Sequence, residues 1–338
     1  MAMRVALALA LSLFVVVSAA PPAGDDMAPA VRAVLIKYWH FTDSDLADLQ
    51  RGKTVKHSVD ASAAGEMALA GAIRVHTPKQ RFLDLARDIV AFKRGPDILA
   101  IGRFSNPPVA QDLASLTIDK EDFDPATCQP HDCGVRLPAD VIARVPHESD
   151  PQALFKQVLL DNVIAYVNGD AKGRVLQYDD DVKPIRPADE FEGLLRDSPA
   201  IGALVPSLPD HLLHYPADPI DGDDDFLYWS KEKFGIAPFI TVTQVTTVCP
   251  SSRTCVVATR DVYSSRYIDA SLSLSIATDA GESGDAFYLI FANRSRASAL
   301  KGGFAGLRRA LAARRARGSL ENSLKQVKER LEAGLASR

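Results

Sequence analysis

Residues 238–295 read PFITVTQVTTVCPSSRTCVVATRDVYSSRYIDASLSLSIATDAGESGDAFYLIFANRS. Two β-branched runs, 238–249 and 255–265, are joined by the five residues between Cys249 and Cys255, the layout of a hairpin. In 270–278 the residues Ala270, Leu272, Leu274 and Ile276 alternate with Ser271, Ser273 and Ser275, which predicts a strand with one apolar and one wet face. DAGESGD is a turn, and AFYLIFANRS is a further strand. Four successive strands with short links make an antiparallel meander.

Upstream, EMALAGAIRVHT alternates as a strand. TPKQRFLDLARDIVAFK then offers Thr77 as N-cap, Pro78 at the first helical position, Gln80 to close a capping box, and Phe82, Leu85 and Ile89 on one face. DILAIGRF is the next strand. Further back, FTDSDLADLQRG has Thr42 as cap, Asp45 three residues on, and Gly52 as stop, a short helix. The apolar VRAVLIKYWH before it fits helix or strand. Between about 109 and 225 the chain is proline-rich and carries helical segments such as PQALFKQVLLDNVIAYVNG, so it reads as a helical insertion.

The chain has 338 residues, 47% of them hydrophobic and 24% charged, with a formal charge of −4. That balance suits a globular protein and excludes a dedicated nucleic-acid binder, which needs a basic field. At the start, Arg4, the apolar run Val5–Val17 and the small residues up to Ala19 have the layout of a cleaved secretory signal peptide, 1–19. The run is short of the roughly 20 residues of a membrane span. The expected localisation is therefore periplasmic or secreted, with a linker and short helix over 20–55 and the main domain over 56–338. In an oxidising compartment Cys128 with Cys133 and Cys249 with Cys255 read as two disulfides. The alternative is a zinc site made of thiolates and His131.

The order of elements, with the residues AIRVHTPKQRFLDLARDIVAFKRGPDILAIGRF (72–104) and FYLIFANRSRASALKGGFAGLRRAL (287–311), resembles the START-like lipid-transfer and polyketide-cyclase superfamily. DFLYWSKEKFG, YSSRYIDASL and NRSR also look like an uncharacterised bacterial exported family, which implies no activity. The first resemblance implies an α+β helix-grip fold, a curved antiparallel sheet around a long C-terminal helix, here with the insertion added. It also implies a cavity between sheet and helix. On that basis Leu300, Phe304, Leu307 and Leu311 would face the cavity. A second stripe, Leu320, Leu324, Val327, Leu331 and Leu335, lies on roughly the opposite face, and Gly318–Ser319 between the two is a stop-and-cap signal.

No nucleophile elbow, phosphate loop, HExxH or dinucleotide fingerprint occurs. His211 and His214 read as surface or partly buried histidines, and Asp221, Asp223 and Asp225 as a solvated acidic loop, so neither a metal nor a cofactor is expected. The polar and aromatic candidates for orienting a ligand are Arg103, Tyr228, Trp229, Lys231, Arg260, Tyr263, Tyr267 and Asp269, with Phe304, Leu307 and Leu311 on the helix. The leading expectation is a carrier of a hydrophobic or amphipathic small molecule, or a lipid, with transient anionic-membrane contact through Arg308, Arg309, Arg314 and Arg315. The alternatives are an enzyme of cyclase or hydrolase type using Tyr263, Tyr267, Asp269 or Arg260 as acid–base groups, and an envelope interaction protein without a cavity.

Overall fold

The computed structural model describes residues 26–61, 63–169, 177–179, 184–233, 237–301 and 305–336. The predicted signal peptide lies outside them. The chain is α+β. Helices α1 (Pro29–Trp39) and α2 (Asp43–Gln50) precede strands β1 (Val55–Val59) and β2 (Glu66–Val75). Two short helices, α3 (Gln80–Arg87) and α4 (Ile89–Lys93), lead to β3 (Ile98–Arg103). The insertion carries α5 (Ala139–Arg144), α6 (Pro151–Val167), α7 (Pro187–Arg196), α8 (Ala200–Leu204) and α9 (Leu208–His214). Strands β4 (Asp224–Glu232), β5 (Phe239–Ser251), β6 (Thr254–Ser264), β7 (Ala270–Asp279) and β8 (Phe287–Arg296) follow, then helix α10 (Ala305–Ala336).

The strands form one eight-stranded antiparallel sheet in the order β1-β2-β8-β7-β6-β5-β4-β3. The meander thus has five strands. DFLYWSK lies within β4, the first strand of that meander. The helical segment between β3 and β4 runs from after Arg103 to before Asp224; the expected insertion was 109–225. VRAVLIKYWH resolves as helix α1. The segment 20–55 is not a linker where described: Val31, Leu35 and Trp39 of α1 and Leu49 of α2 are buried in the core.

Both faces of the sheet are covered. On the back face, α1, α2 and α7–α9 pack on Leu272, Leu274, Ile276 and Ile290. Helices α5 and α6 pack beside them on Leu227, Trp229, Ile240, Val242 and Tyr263. The front face carries α3, α4 and α10 over Ile73, Phe226, Val245, Val257, Phe287 and Leu289. This is why β5 is buried from Phe239 to Val248 without alternation, the pattern of a strand covered on both sides.

The helix read as one over 77–93 is two. Asp88 leaves helical geometry, at φ −85° and ψ 71°, and its carboxylate accepts from Ala91 N at 3.1 Å, capping α4. At the front of α3 the cap position is Lys79, with no side-chain cap bond, so the expected Thr77 cap is not used.

Helix α10 runs unbroken through Gly318. That glycine has open space around it, so it costs only the roughly 1 kcal/mol of glycine's helix propensity. The second half of the helix packs on the sheet. Leu320, Leu324 and Leu331 are buried on β2, where a Cβ on Gly71 would lie 2.9 Å from Leu320 Cδ2 and 3.1 Å from Leu324 Cδ1. Glycine there lets helix and strand approach closely. The stripe expected on the opposite face is therefore one that packs on the sheet, whereas the side chains of 305–313, which carry most of the first stripe, lie outside the described residues.

Both disulfides are formed, Cys128–Cys133 and Cys249–Cys255, which leaves no thiolate for the zinc alternative. His131 meets Asp179 instead, at 3.0 Å. Among the described residues no helix is long and apolar enough to cross a membrane.

Candidate functional site

The front face does not close completely. Between α3–α4 and the strands β4–β8 lies a cavity of about 310 Å³. Its helical wall is apolar, made of Phe82, Ala86, Ile89 and Phe92. Its floor is rich in hydroxyls: Thr241, Thr243 and Thr259, with Ser271, Ser273 and Ser275 of β7. The serines read from the sequence as a wet face therefore line an interior space.

Strand register sets the polar end. In β4 the even positions Phe226, Tyr228, Ser230 and Glu232 point to the front, opposite Val245, Thr243, Thr241 and Phe239 of β5. On β6, Asp261 pairs with Thr243 whereas Tyr263 pairs with Val242. Two residues of equal parity thus face opposite sides, because Val262 is an extra residue in the ladder, a β-bulge. The bulge aims Asp261 into the cavity and Tyr263 under the insertion.

Lys93, in the last turn of α4, ion-pairs with Glu232 and lies 3.4 Å from the Tyr228 hydroxyl. Ser230 donates to Glu232 at 2.6 Å and shares a hydrogen bond with Thr241 at 3.0 Å. Thr243 donates to Asp261 at 2.9 Å. Burial opposes the charge on Lys93, but Tyr228, Glu232 and Asp261 outweigh it and hold the ammonium well above the usual lysine range. Burial likewise raises the Tyr228 phenol. Asp261 is pushed by burial to about 6, against the Thr243 hydrogen bond and the Lys93 charge, which pull the other way. By surface area Asp261 is only half-buried although it lies deep in the protein, since its free surface faces the cavity. The result is a fixed ion pair beside a carboxyl that changes charge near neutral pH.

Of the candidate residues read from the sequence, Tyr228 alone is brought into this cavity among the described side chains. Trp229 and Lys231 are on the opposite face. Trp229 Nε1 donates to the Asp112 carbonyl at 2.8 Å, and Lys231 pairs with Asp119 at 2.9 Å and with Asp122, tying insertion to sheet. Tyr263 donates to the Arg136 carbonyl at 3.0 Å. Arg260 lies 4.0 Å from the Phe191 ring centre and 5.4 Å from that of Tyr166, and donates to the Leu212 carbonyl. Asp269 is buried against Arg136 at 2.7 Å. Tyr267 is 36% exposed in a left-handed conformation, φ 64°, its hydroxyl on the Ala237 backbone. Arg103 is exposed on edge strand β3, with Phe226's ring centre 3.9 Å from its guanidinium. Phe304, and the side chains of Leu307, Leu311, Arg308 and Arg309, lie outside the described residues; Arg314 and Arg315 are exposed on α10.

Lys93, Glu232 and Asp261 were not singled out from the sequence. Lys93 looks like an ordinary cation at a helix C-terminus, and Glu232 like one charge of a lysine-rich turn. For Asp261 the signal was present: Cys255, Val257 and Thr259 precede it at period two, which places an acid on a face otherwise apolar or hydroxylic. His211 is also displaced from its expected setting. It is buried beside Asp223 and Asp225 of the acidic run.

No family model, no curated protein and no solved structure matches this chain.

Proposed function

We propose that the protein is an exported carrier that holds a small amphipathic molecule in the front-face cavity. The observation that carries this reading is the make-up of the cavity wall: phenyl and aliphatic on α3–α4, hydroxyls beside Phe239, Val245, Val257 and Phe291 on the strands, and, among the described residues, charge at Lys93, Glu232 and Asp261 alone. A mainly apolar enclosure with a few converging polar groups is the usual form of a small-molecule site. At about 310 Å³ the space suits one small molecule, not both tails of a two-chain lipid. The order strand, helix pair, strand, five-strand meander and closing helix supports a helix-grip, START-like reading of the fold. Two disulfides and the layout of residues 1–19 support export.

Purification from the native host followed by native mass spectrometry tests the reading, together with titration of the stripped protein by an environment-sensitive hydrophobic probe. Saturable binding that disappears in Ser273→Phe, which fills the cavity, and persists in the back-face variant Tyr38→Ser is the expected result. No bound molecule and no probe binding would remove the proposal.

A second reading is catalysis in the same cavity. What favours it is Asp261, held near 6 beside the Lys93 ammonium, the poise of a general acid or base. The residues first considered for that role, Arg260, Tyr263, Tyr267 and Asp269, are elsewhere, so the candidate becomes Asp261. Turnover abolished in Asp261→Asn while binding survives would favour the enzyme over the carrier. The exposed Arg314 and Arg315 support a membrane contact during ligand exchange, and liposome binding unaffected by their change to Glu would eliminate it.

A further inference from the structure

We propose that His211, Asp223 and Asp225 form a binding site for a divalent transition-metal ion, Zn²⁺ by the character of its donors. His211 is 1% exposed on α9, and its Nδ1 lies 2.7 Å from the Asp218 carbonyl. A carbonyl only accepts, so Nδ1 carries the hydrogen. In the neutral ring Nε2 then presents a lone pair. That atom lies 2.9 Å from Asp225 Oδ2 and 3.8 Å from Asp223 Oδ2, yet it is buried with hydrogen-bond geometry to neither. A lone pair facing two carboxylates is repulsive, and a proton on Nε2 would be poorly aimed at either oxygen. A cation between the three atoms removes both difficulties.

The dimensions fit. The three donor atoms lie within 4.8 Å of one another. Tetrahedral zinc with bonds of roughly 2.0–2.1 Å needs donors about 3.3 Å apart, and the separations of 2.9 and 3.8 Å bracket that value. The surroundings hold the ligands in place. Asp225 Oδ1 accepts from Gln244 Nε2 at 3.1 Å and from Thr246 Oγ1, leaving Oδ2 for the ion, and the Asp218 carbonyl fixes the His211 tautomer. Such outer contacts are characteristic of metal sites. One imidazole and two carboxylates suit Zn²⁺ better than Ca²⁺, which gathers six to eight oxygens. The Asp223 side chain is 20% exposed, which gives water access to the fourth position. Because α9 belongs to the insertion and Asp225 to β4, the ion would join the two parts of the fold.

The test uses the disulfide-intact mature chain, stripped with chelator and titrated with Co²⁺, then with Zn²⁺ in competition. One ion per chain is expected, with the visible d–d absorption of a low-coordinate Co²⁺ site. Asp223→Asn, at the rim, should weaken binding at least about ten-fold, and Thr246→Val by roughly ten- to a hundred-fold, with circular dichroism unchanged. His211→Gln should abolish the spectrum. Absence of saturable binding, or affinity unaltered in Asp223→Asn and Thr246→Val, overturns the proposal and leaves His211 as an imidazolium between two aspartates. Because the rim variant spares the buried ring, failure of His211→Gln to fold does not remove the test.

Discussion

Asp261 is the residue on which the cavity turns. Its carboxyl ionises near 3.8 when free and near 6 in the folded protein, because burial disfavours the charge more than Thr243 and Lys93 favour it. Between those values the native state binds more protons than the unfolded chain, so this group's contribution makes stability fall as pH rises from about 4 through about 6. The shift of about two pH units corresponds to a cost of up to about 3 kcal/mol above pH 6. Asp261→Asn keeps the shape, still accepts from Thr243, and cannot ionise. The variant should therefore be more stable than the wild type at pH 7.5 and nearly equal to it at pH 4, as measured by urea unfolding across that range. Equal stabilities at both pH values would show that Asp261 is not raised. What the sequence hid is the bulge at Val262, which parts this residue from Tyr263. Alternation projected from Arg260 or Tyr263 assigns Asp261 and Tyr263 to one side, and only the backbone register shows that they part. The same dependence on register explains why Trp229 and Lys231, one and three residues after Tyr228, serve the insertion, while Tyr228 serves the cavity.

At the scale of elements, the seam between α10 and β2 makes a quantitative claim. Leu324 is 3% exposed, packed over Gly71. Leu324→Ala should cost about 2–5 kcal/mol by denaturant unfolding, the range for deleting a buried leucine. Gly71→Val should be comparably harmful, because its branches would enter the space of Leu320 and Leu324. If neither change lowers stability, the second half of α10 does not hold the sheet. The leucine stripe itself was legible from spacing of three and four. Which surface receives it was not, because that depends on a strand whose own contribution at the contact is a glycine. Gly318 misled for a related reason: a stop signal acts only when no packing lies beyond it, and here Leu320, Leu324 and Leu331 draw the helix on. The hairpin staple was legible outright, since five residues between two cysteines in strand-forming runs leave little else for them to do. Breaking Cys249–Cys255 by double substitution to alanine should cost about 2 kcal/mol on loop-closure grounds, given the sequence separation of 6, and reduction should lower the melting temperature accordingly.

At the scale of the whole molecule, the insertion behaves as a third layer. The sequence reading separated it by its prolines and its helices. It could not show that this layer buries the sheet's back, because long-range packing leaves no local period. Chain connectivity alone would permit its removal: β3 and β4 are antiparallel neighbours, Arg103 stands opposite Tyr228, and Phe104 N donates to the Leu227 carbonyl at 2.9 Å, so a short turn could join them. Burial forbids it. Without residues 106–222 the back face would present Leu227, Trp229, Ile240 and Val242 to water, and Leu272, Leu274, Ile276 and Ile290 would keep only the cover of α1 and α2. It would also leave Lys231 and Arg260 without the Asp119, Asp122 and Leu212 partners they now reach. An exposed apolar face of that extent favours aggregation over a folded monomer. Replacing 106–222 by a four-residue turn is therefore expected to give insoluble protein, or a soluble form that binds anilinonaphthalene sulfonate and lacks near-ultraviolet circular dichroism. A soluble, cooperatively unfolding deletion would instead mean that the front layer and sheet fold as a unit, with the insertion an accessory laid on top.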